Sequence, residues 1–282
     1  MNTRLRKNLA GSMSFYSYIP CRMQEYNFIQ DSWLKRQIIT LRKLFDELNN
    51  KIRHSNLEVI NELIAMESHD SWQLASDKTV NPWIMMFNNN EDEANIKHAI
   101  VYAEDALSEL PLSSRLFCNL HYIICSSSEY DRKYRGEYRT SPVWIGKKGC
   151  RISDATFIPP VGNDMTDALV DLEKFIHYND YDIFVKAAMI HYQFEMIHPF
   201  IDANGRVGRI INTLFLYEVG ILQKPVLLFS NALLTSVDDY YNIIQDVNLT
   251  QGIDSWIRYF LLRLEYGIKY TIHHITTRNG LQ

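Results

Sequence analysis

The chain has 282 residues, 46% of them hydrophobic and 22% charged, with a formal net charge of -4. That length suits one large domain or two small ones, and the composition is that of an ordinary globular protein rather than a disordered or fibrous one. The slight acidic excess gives no basic footprint for a nucleic-acid binder.

The four cysteines, Cys21, Cys118, Cys125 and Cys150, form no C-x-x-C pair. Zinc and dithiol redox chemistry therefore find no support, and free thiols in a reducing, cytoplasmic compartment are expected. The basic first ten residues lack the apolar run of a signal peptide. The most apolar stretch, Ile210 to Phe229, carries Asn212, Glu218, Lys224 and Pro225. It reads as a buried helix with its following loop, and no membrane partner is expected.

In chain order, the first 30 residues read as extended. Asp31-Ser32 offers a helix start, followed by one apolar stripe of Leu34, Ile38, Leu41, Phe45, Leu48 and Ile52. Ser55-Asn-Leu-Glu58 reads as a capping box opening the next helix. Its stripe is Leu57, Ile60, Leu63 and Ile64, and Glu67 falls in the middle of that stripe. Asn88-Asn-Asn90 reads as a loop, followed by a helix with Ile96, Ile100, Ala103, Leu107 and Leu110 on one face. Another helix begins near Ser113 and carries Leu116, Leu120 and Ile123.

The β signal lies between Tyr138 and Pro160, where Val143-Trp-Ile145 and Thr156-Phe-Ile158 flank a Gly146 to Gly149 turn. Further helices are expected over Asp164–Ile176, Ile183–Ile197, Gly205–Val219, Val237–Leu249 and Trp256–Tyr266. The expected fold class is mainly α with one short β-hairpin. Residues 1–95 form an N-terminal helical region, and residues 96–282 form the core and C-terminal helices.

The chemistry concentrates in His198-Pro-Phe-Ile-Asp-Ala-Asn-Gly-Arg-Val-Gly-Arg209. One helix ends before Pro199 and a second resumes near Gly205. The loop between them ends at a helix N-terminus, whose free N–H groups suit phosphate. Arg206 and Arg209 lie three apart on one face and can each grip phosphate oxygens in pairs. Asp202 is a single carboxylate of the kind that holds Mg²⁺ together with phosphate oxygens and water. His198 can accept a proton near neutral pH.

This segment resembles the signature of the Fic family: His-Pro-Phe, a free position, Asp or Glu, Gly or Ala, Asn, Gly or Lys, Arg, two free positions, Arg. Every specified position is met, Ala203 taking the less common option. The resemblance extends roughly from Ile96 to Leu264. Glu137 to Gly146 is similar to the stretch before the family's flap hairpin, Ala155 to Pro160 to the flap itself, and Tyr240-Tyr241 and Trp256 to Leu262 to its C-terminal core helices.

The resemblance implies a Fic-type helical core with a short flap, and transfer of AMP from ATP to a Ser, Thr or Tyr hydroxyl of a target protein. His198 would take the hydroxyl proton and Asp202 would hold Mg²⁺. Ala203, Asn204 and Gly205 would contribute the phosphate-cradling loop. Arg206 would stabilise the departing pyrophosphate and Arg209 would grip the γ-phosphate. Tyr240, Tyr241 and Asn248 align with positions bordering adenine and ribose. The flap, Asp154, Ala155, Thr156 and Phe157, would dock the target as an added strand.

Many family members also carry an inhibitory helix whose Glu pairs with the second arginine. Leu63 to Ser68 keeps the Glu but departs at both flanking positions. Glu67 is expected to be buried against Arg209 and to restrain the enzyme, since a carboxylate in an apolar stripe needs a charged partner. AMP removal, transfer of another phosphate-linked group, and a nucleotide-binding regulator without turnover remain open. Gly205 argues against the phosphate-transferring branch, which favours Lys there. Relatives often form homodimers. The chain stops at Gln282, too soon for the winged helix that many relatives append, so no nucleic-acid partner is expected.

Overall fold

The computed structural model describes residues 4–10, 13–76, 90–127, 134–147, 149–178, 180–250 and 252–279. The expected Asn88–Asn90 loop lies mostly outside them. Two short strands, β1 (Leu5–Ala10) and β2 (Met13–Tyr18), pair antiparallel with Leu5 opposite Tyr18 and Ala10 opposite Met13. Ten α-helices follow among the described residues: α1 (Ser32–Arg53), α2 (Leu57–Ser76), α3 (Asn90–Ala106), α4 (Ser114–Ile124), α5 (Asn163–Tyr178), α6 (Ile183–Ile197), α7 (Asn204–Glu218), α8 (Phe229–Leu234), α9 (Val237–Thr250) and α10 (Asp254–Asn279). None of them is long and apolar enough to cross a membrane.

The mainly α class holds, but the paired strands are not where the β signal pointed. The extended N-terminus forms the hairpin, while the 143–158 segment holds a single bridge, Ile145 with Phe157. The reason is local. A 3-10 turn at Ile152–Asp154 separates the two arms, and Pro159 and Pro160, which lack N–H groups, follow directly. The second arm instead leans on β2: Tyr18 donates its N–H to the Ile158 carbonyl at 2.8 Å. Phe15 packs with Ile152 and Ile158 in a small core of its own.

The α1 stripe is buried as its spacing requires, and Asp31 caps the helix by accepting from the Leu34 N–H at 2.9 Å. The cap of α2 is shifted from expectation. Asn56, not Ser55, accepts from the Val59 N–H, while the Ser55 hydroxyl donates back to the Lys51 carbonyl. The short α8 was not legible in the sequence, because six residues are too few to show a periodicity.

Helix α6 is the central element. Nearly all of its residues are buried, and it packs against α5, α7 and α10. Two of its buried polar side chains reach backbone carbonyls: Lys186 donates to that of Ile176 and Gln193 to that of Cys21. Trp256 of α10, fully buried, donates its indole N–H to the Ala188 carbonyl at 2.7 Å. Replacing Trp256 with Ala removes a large buried ring and one hydrogen bond to that carbonyl. We expect Trp256→Ala to lose about 3–5 kcal/mol, read as a fall in the urea unfolding midpoint with unchanged cooperativity.

Candidate active site

The loop between α6 and α7 is built on two residues in the left-handed backbone region. His198 ends α6 with φ 47° and Ala203 precedes α7 with φ 61°. The residue before Pro199 leaves the helix as expected, though into the left-handed rather than the extended region. Like His198, Ala203 carries a Cβ into this region, which glycine alone enters without steric cost. Asn204 locks the loop from inside, accepting from the Phe200 N–H at 2.8 Å and donating to the Phe200 carbonyl at 2.9 Å. The Phe200 ring is fully buried, stacked on His121 with centroids 4.0 Å apart.

The strained turn at His198 is held by a residue to which the sequence reading assigned no role. Arg139 is buried and donates to four carbonyls: His198 at 2.7 Å, Pro160 at 2.7 Å, Ile197 at 3.1 Å and Ser141 at 3.2 Å. Its guanidinium thereby joins the end of α6 to both ends of the flap. Burial holds its pKa down to about 10, still fully charged near neutral pH. The only sequence signal is an arginine just before the flap, in Glu137-Tyr-Arg.

His198 turns its Nδ1 toward the Glu195 carbonyl at 3.2 Å. With Nδ1 donating there, Nε2 is the acceptor nitrogen, as a base requires. Burial, reinforced by the positive charge of Arg139, holds its pKa down to about 4. The ring is therefore neutral at pH 7.

Asp202 stands at the loop mouth, its side chain 22% exposed, with Arg206 Nη2 at 3.1 Å one helical turn on. Arg206 also lies 4.0 Å from Asp92, a buried carboxylate on α3 that accepts from the Ser127 hydroxyl. No side chain caps α7 at Ala203, and the guanidinium of Arg209 folds back over Gly205, where an added Cβ would meet Nη1 at 3.0 Å. The structure thus brings together His198, Asp202, Ala203, Asn204, Gly205, Arg206 and Arg209.

Glu67 is buried as expected, but its partner is different. Both its oxygens face the Ser230 N–H, at 3.0 and 3.2 Å, and one accepts from the Ser230 hydroxyl. No ion pair joins it to Arg209. Arg209 is instead held by Ser71, its Nε donating to the hydroxyl at 2.9 Å and Nη2 to the backbone carbonyl at 2.7 Å. Ser71 lies one turn beyond Glu67, so the same face of α2 touches Arg209, though one turn later than expected. Continuing the stripe through 67 to 71 would have exposed this in the sequence. Burial pushes the Glu67 carboxyl up to about 8, against the opposing effect of Ser230.

Tyr240 is turned into the core, with its hydroxyl 3.0 Å from His191 Nε2 and its ring packed against Trp256. Tyr241 is the partly exposed member of the pair. Asn248 lies on α9, but its side chain is outside the described residues. In the flap, the Phe157 N–H and carbonyl and the Thr156 N–H all pair with Ile145. Asp154 lies in the 3-10 turn and Ala155 ends it.

Because Arg139 holds four carbonyls at once, an ammonium of one point charge cannot replace it. We expect Arg139→Lys to cost about 3 kcal/mol, measured by denaturant unfolding, and to raise protease cleavage within 141–160.

The sequence model of the Fic/DOC family matches residues 111–216. The protein adenylyltransferase fic-1 of Caenorhabditis briggsae is 26% identical over 148 residues, covering 51% of this chain and 26% of that protein. A probable protein adenylyltransferase of Aquifex aeolicus (strain VF5) is 37% identical over 89 residues, 28% of each chain. The matched part spans only 26% and 28% of the length of these two relatives. Among solved structures, a Fic family protein from Desulfovibrio desulfuricans G20 superimposes with a TM-score of 0.62 at 16% identity, covering 83% of this chain and 74% of that one. A Fic domain containing signaling protein from Bacteroides thetaiotaomicron VPI-5482 gives 0.62 at 16% identity, covering 86% and 97%. These likenesses establish a shared fold, and the segment that the Fic/DOC family model matches, residues 111–216, includes the loop that carries His198.

Proposed function

We propose that the protein is a protein adenylyltransferase, moving AMP from ATP to a hydroxyl of a target protein. The observation that carries the reading is a single loop holding a neutral imidazole, an accessible carboxylate and two buried guanidiniums around the uncapped start of a helix. In the proposed reaction the target oxygen bonds to the α-phosphorus and the bond to pyrophosphate breaks. The hydroxyl proton moves to His198 Nε2. Arg206 and Arg209 neutralise the polyphosphate, and Asn204 and Ala203 keep the loop shaped to receive it. Positioning and electrostatics carry most of the catalysis in such transfers.

Among the described residues, no group of three or more His, Cys, Asp and Glu side chains could hold a metal alone. One partly exposed carboxylate, Asp202, fits a Mg²⁺ ion shared with phosphate oxygens and water. When bound, the ion would supply positive charge between the phosphates. Strand addition by the target would use the flap beside Asp154 to Phe157, before Ile158, whose carbonyl β2 already holds.

We further propose that α2 restrains the enzyme through Ser71. In this arrangement Arg209 is tied to α2 and must leave Ser71 to reach a γ-phosphate. Glu67 serves by anchoring α2 to α8 through Ser230.

Incubation with α-labelled ATP and Mg²⁺ tests both readings, with self-labelling as the readout. Protein-bound label that disappears in His198→Ala is the expected result. Label that persists in His198→Ala would remove His198 as the base. Ser71→Ala is expected to raise the labelling rate about fivefold, the equivalent of roughly 1 kcal/mol from one lost hydrogen bond. An unchanged or lower rate in Ser71→Ala would refute the restraint.

A further inference from the structure

One buried carboxyl in the site has no assigned task. Glu195 lies on α6 one turn before His198, and its Oε1 is buried with no hydrogen-bond partner. Its Oε2 lies 4.0 Å from His198 Nδ1. The carboxyl is pressed against the backbone of α7: a Cβ on Gly208 would stand 2.5 Å from Oε1 and 3.0 Å from Phe194 Cδ1. Glycine at 208 leaves the space this carboxyl occupies. A buried carboxylate oxygen without a hydrogen-bond partner calls for a physical reason, since such groups are costly to bury.

The charges around His198 supply that reason. Arg139 disfavours the imidazolium. Asp202 favours it, but on the reading above Asp202 is committed to the metal and faces the loop mouth. Glu195 is the remaining anion within reach, on the Nδ1 side of the ring, opposite the nitrogen that takes the proton. The other ionisable groups facing it are His191 on α6, Arg209 on α7 and Tyr240 on α9. His191 is held neutral by burial, with a pKa down to about 3, and Tyr240 stays neutral with its pKa raised. Arg209 pulls the Glu195 carboxyl toward ionisation.

We propose that Glu195 is a positioning residue for the base, its carboxylate supplying the counter-charge for the imidazolium that forms when His198 accepts the target's proton. The role rests on the AMP-transfer reading. The proton passes from the hydroxyl to Nε2, the oxygen–phosphorus bond forms as pyrophosphate departs, and Glu195 itself neither gains nor loses a proton.

The pH dependence has a definite sign. Burial pushes Glu195 up to about 7, so its carboxylate form grows as pH rises through that value. His198, held down to about 4, is neutral throughout this range and cannot produce such a rise. The rate should therefore climb through about pH 7 in the natural chain.

The test compares the natural chain with Glu195→Gln and Glu195→Asp, the Gln variant keeping the shape beside Gly208. Initial self-labelling rates are measured against ATP concentration at several pH values. The His198 ring carbon is followed by NMR in the same proteins, assigned against His198→Ala. In Glu195→Gln the climb through pH 7 should vanish, and the maximal rate at pH 8 should fall about tenfold to a hundredfold with KM for ATP unchanged. Glu195→Asp should recover part of the rate and a climb. The His198 signal should shift with a midpoint near pH 7 in the natural chain and lose that step in Glu195→Gln.

A Gln variant with the natural pH profile overturns the proposal. So does a raised KM with an intact maximal rate, which would assign Glu195 to Arg209 instead. If the natural chain takes no label at all, the AMP-transfer reading fails by itself. The ring signal then decides the contact: the step lost in Glu195→Gln supports it, and a step unchanged by the substitution overturns it.

Discussion

The site depends on one guanidinium. Arg139 gathers the carbonyls of Ser141, Pro160, Ile197 and His198 around a single buried cation. Among the described residues, no carboxylate pairs with it. Four carbonyl dipoles carry the charge, a bonding pattern that the five donors of an arginine can satisfy and a lysine cannot. The arrangement has two consequences. It holds His198 in a left-handed turn that the backbone would otherwise resist. It also ties the flap to the base, so the surface that would receive a target strand and the nitrogen that would take its proton move as one unit. The same positive charge helps hold the His198 pKa down, which would weaken it as the proposed base.

Around the loop, the side chains divide into groups that are fully engaged and groups kept for a ligand. Asn204 spends both ends of its amide on Phe200, and Phe200 spends its ring on His121 and Tyr138. Those contacts make the loop rigid before any substrate arrives, which lowers the cost of organising it during reaction. Arg209, in contrast, is held by contacts to Ser71 that a phosphate could replace. Asp202 keeps an exposed edge. A restraint built this way acts by competition for the same guanidinium donors, so its strength depends on how firmly α2 is anchored. In the proposed restraint, the contact between Glu67 and Ser230 would provide that anchor.

Much of the helical framework was legible in the sequence, because each long helix has to bury one stripe. The stripe in α1 placed that helix closely, and the helix expected over Ile183–Ile197 coincides with α6. The Asp31 cap was legible as well, since an Asp ahead of a periodic run has few other local uses. The hairpin was misplaced because β-rich residues on either side of a Gly turn look alike whether or not a ladder forms. What decides the matter is the number of residues left between the arms and the prolines after them. The α8 helix was too short to show its period. Glu67 was correctly read as buried, yet its partner was not, since Ser230 comes from α8, far along the chain, and supplies its hydrogen bonds.

The sequence alone determined the chemistry of the loop. The order of histidine, aspartate, asparagine and two arginines over twelve residues fixes which groups share one helix junction, because they are close along the chain. Local spacing also determined that Glu67 would face inward. The tertiary structure alone decided which groups come from far away in the chain: Arg139 under the base, Ser71 on Arg209, Ser230 on Glu67, Asp92 near Arg206, and β2 beside the flap. No periodicity encodes these pairings. They follow from how the helices pack together, and a buried polar group takes the partner that packing brings within hydrogen-bond reach.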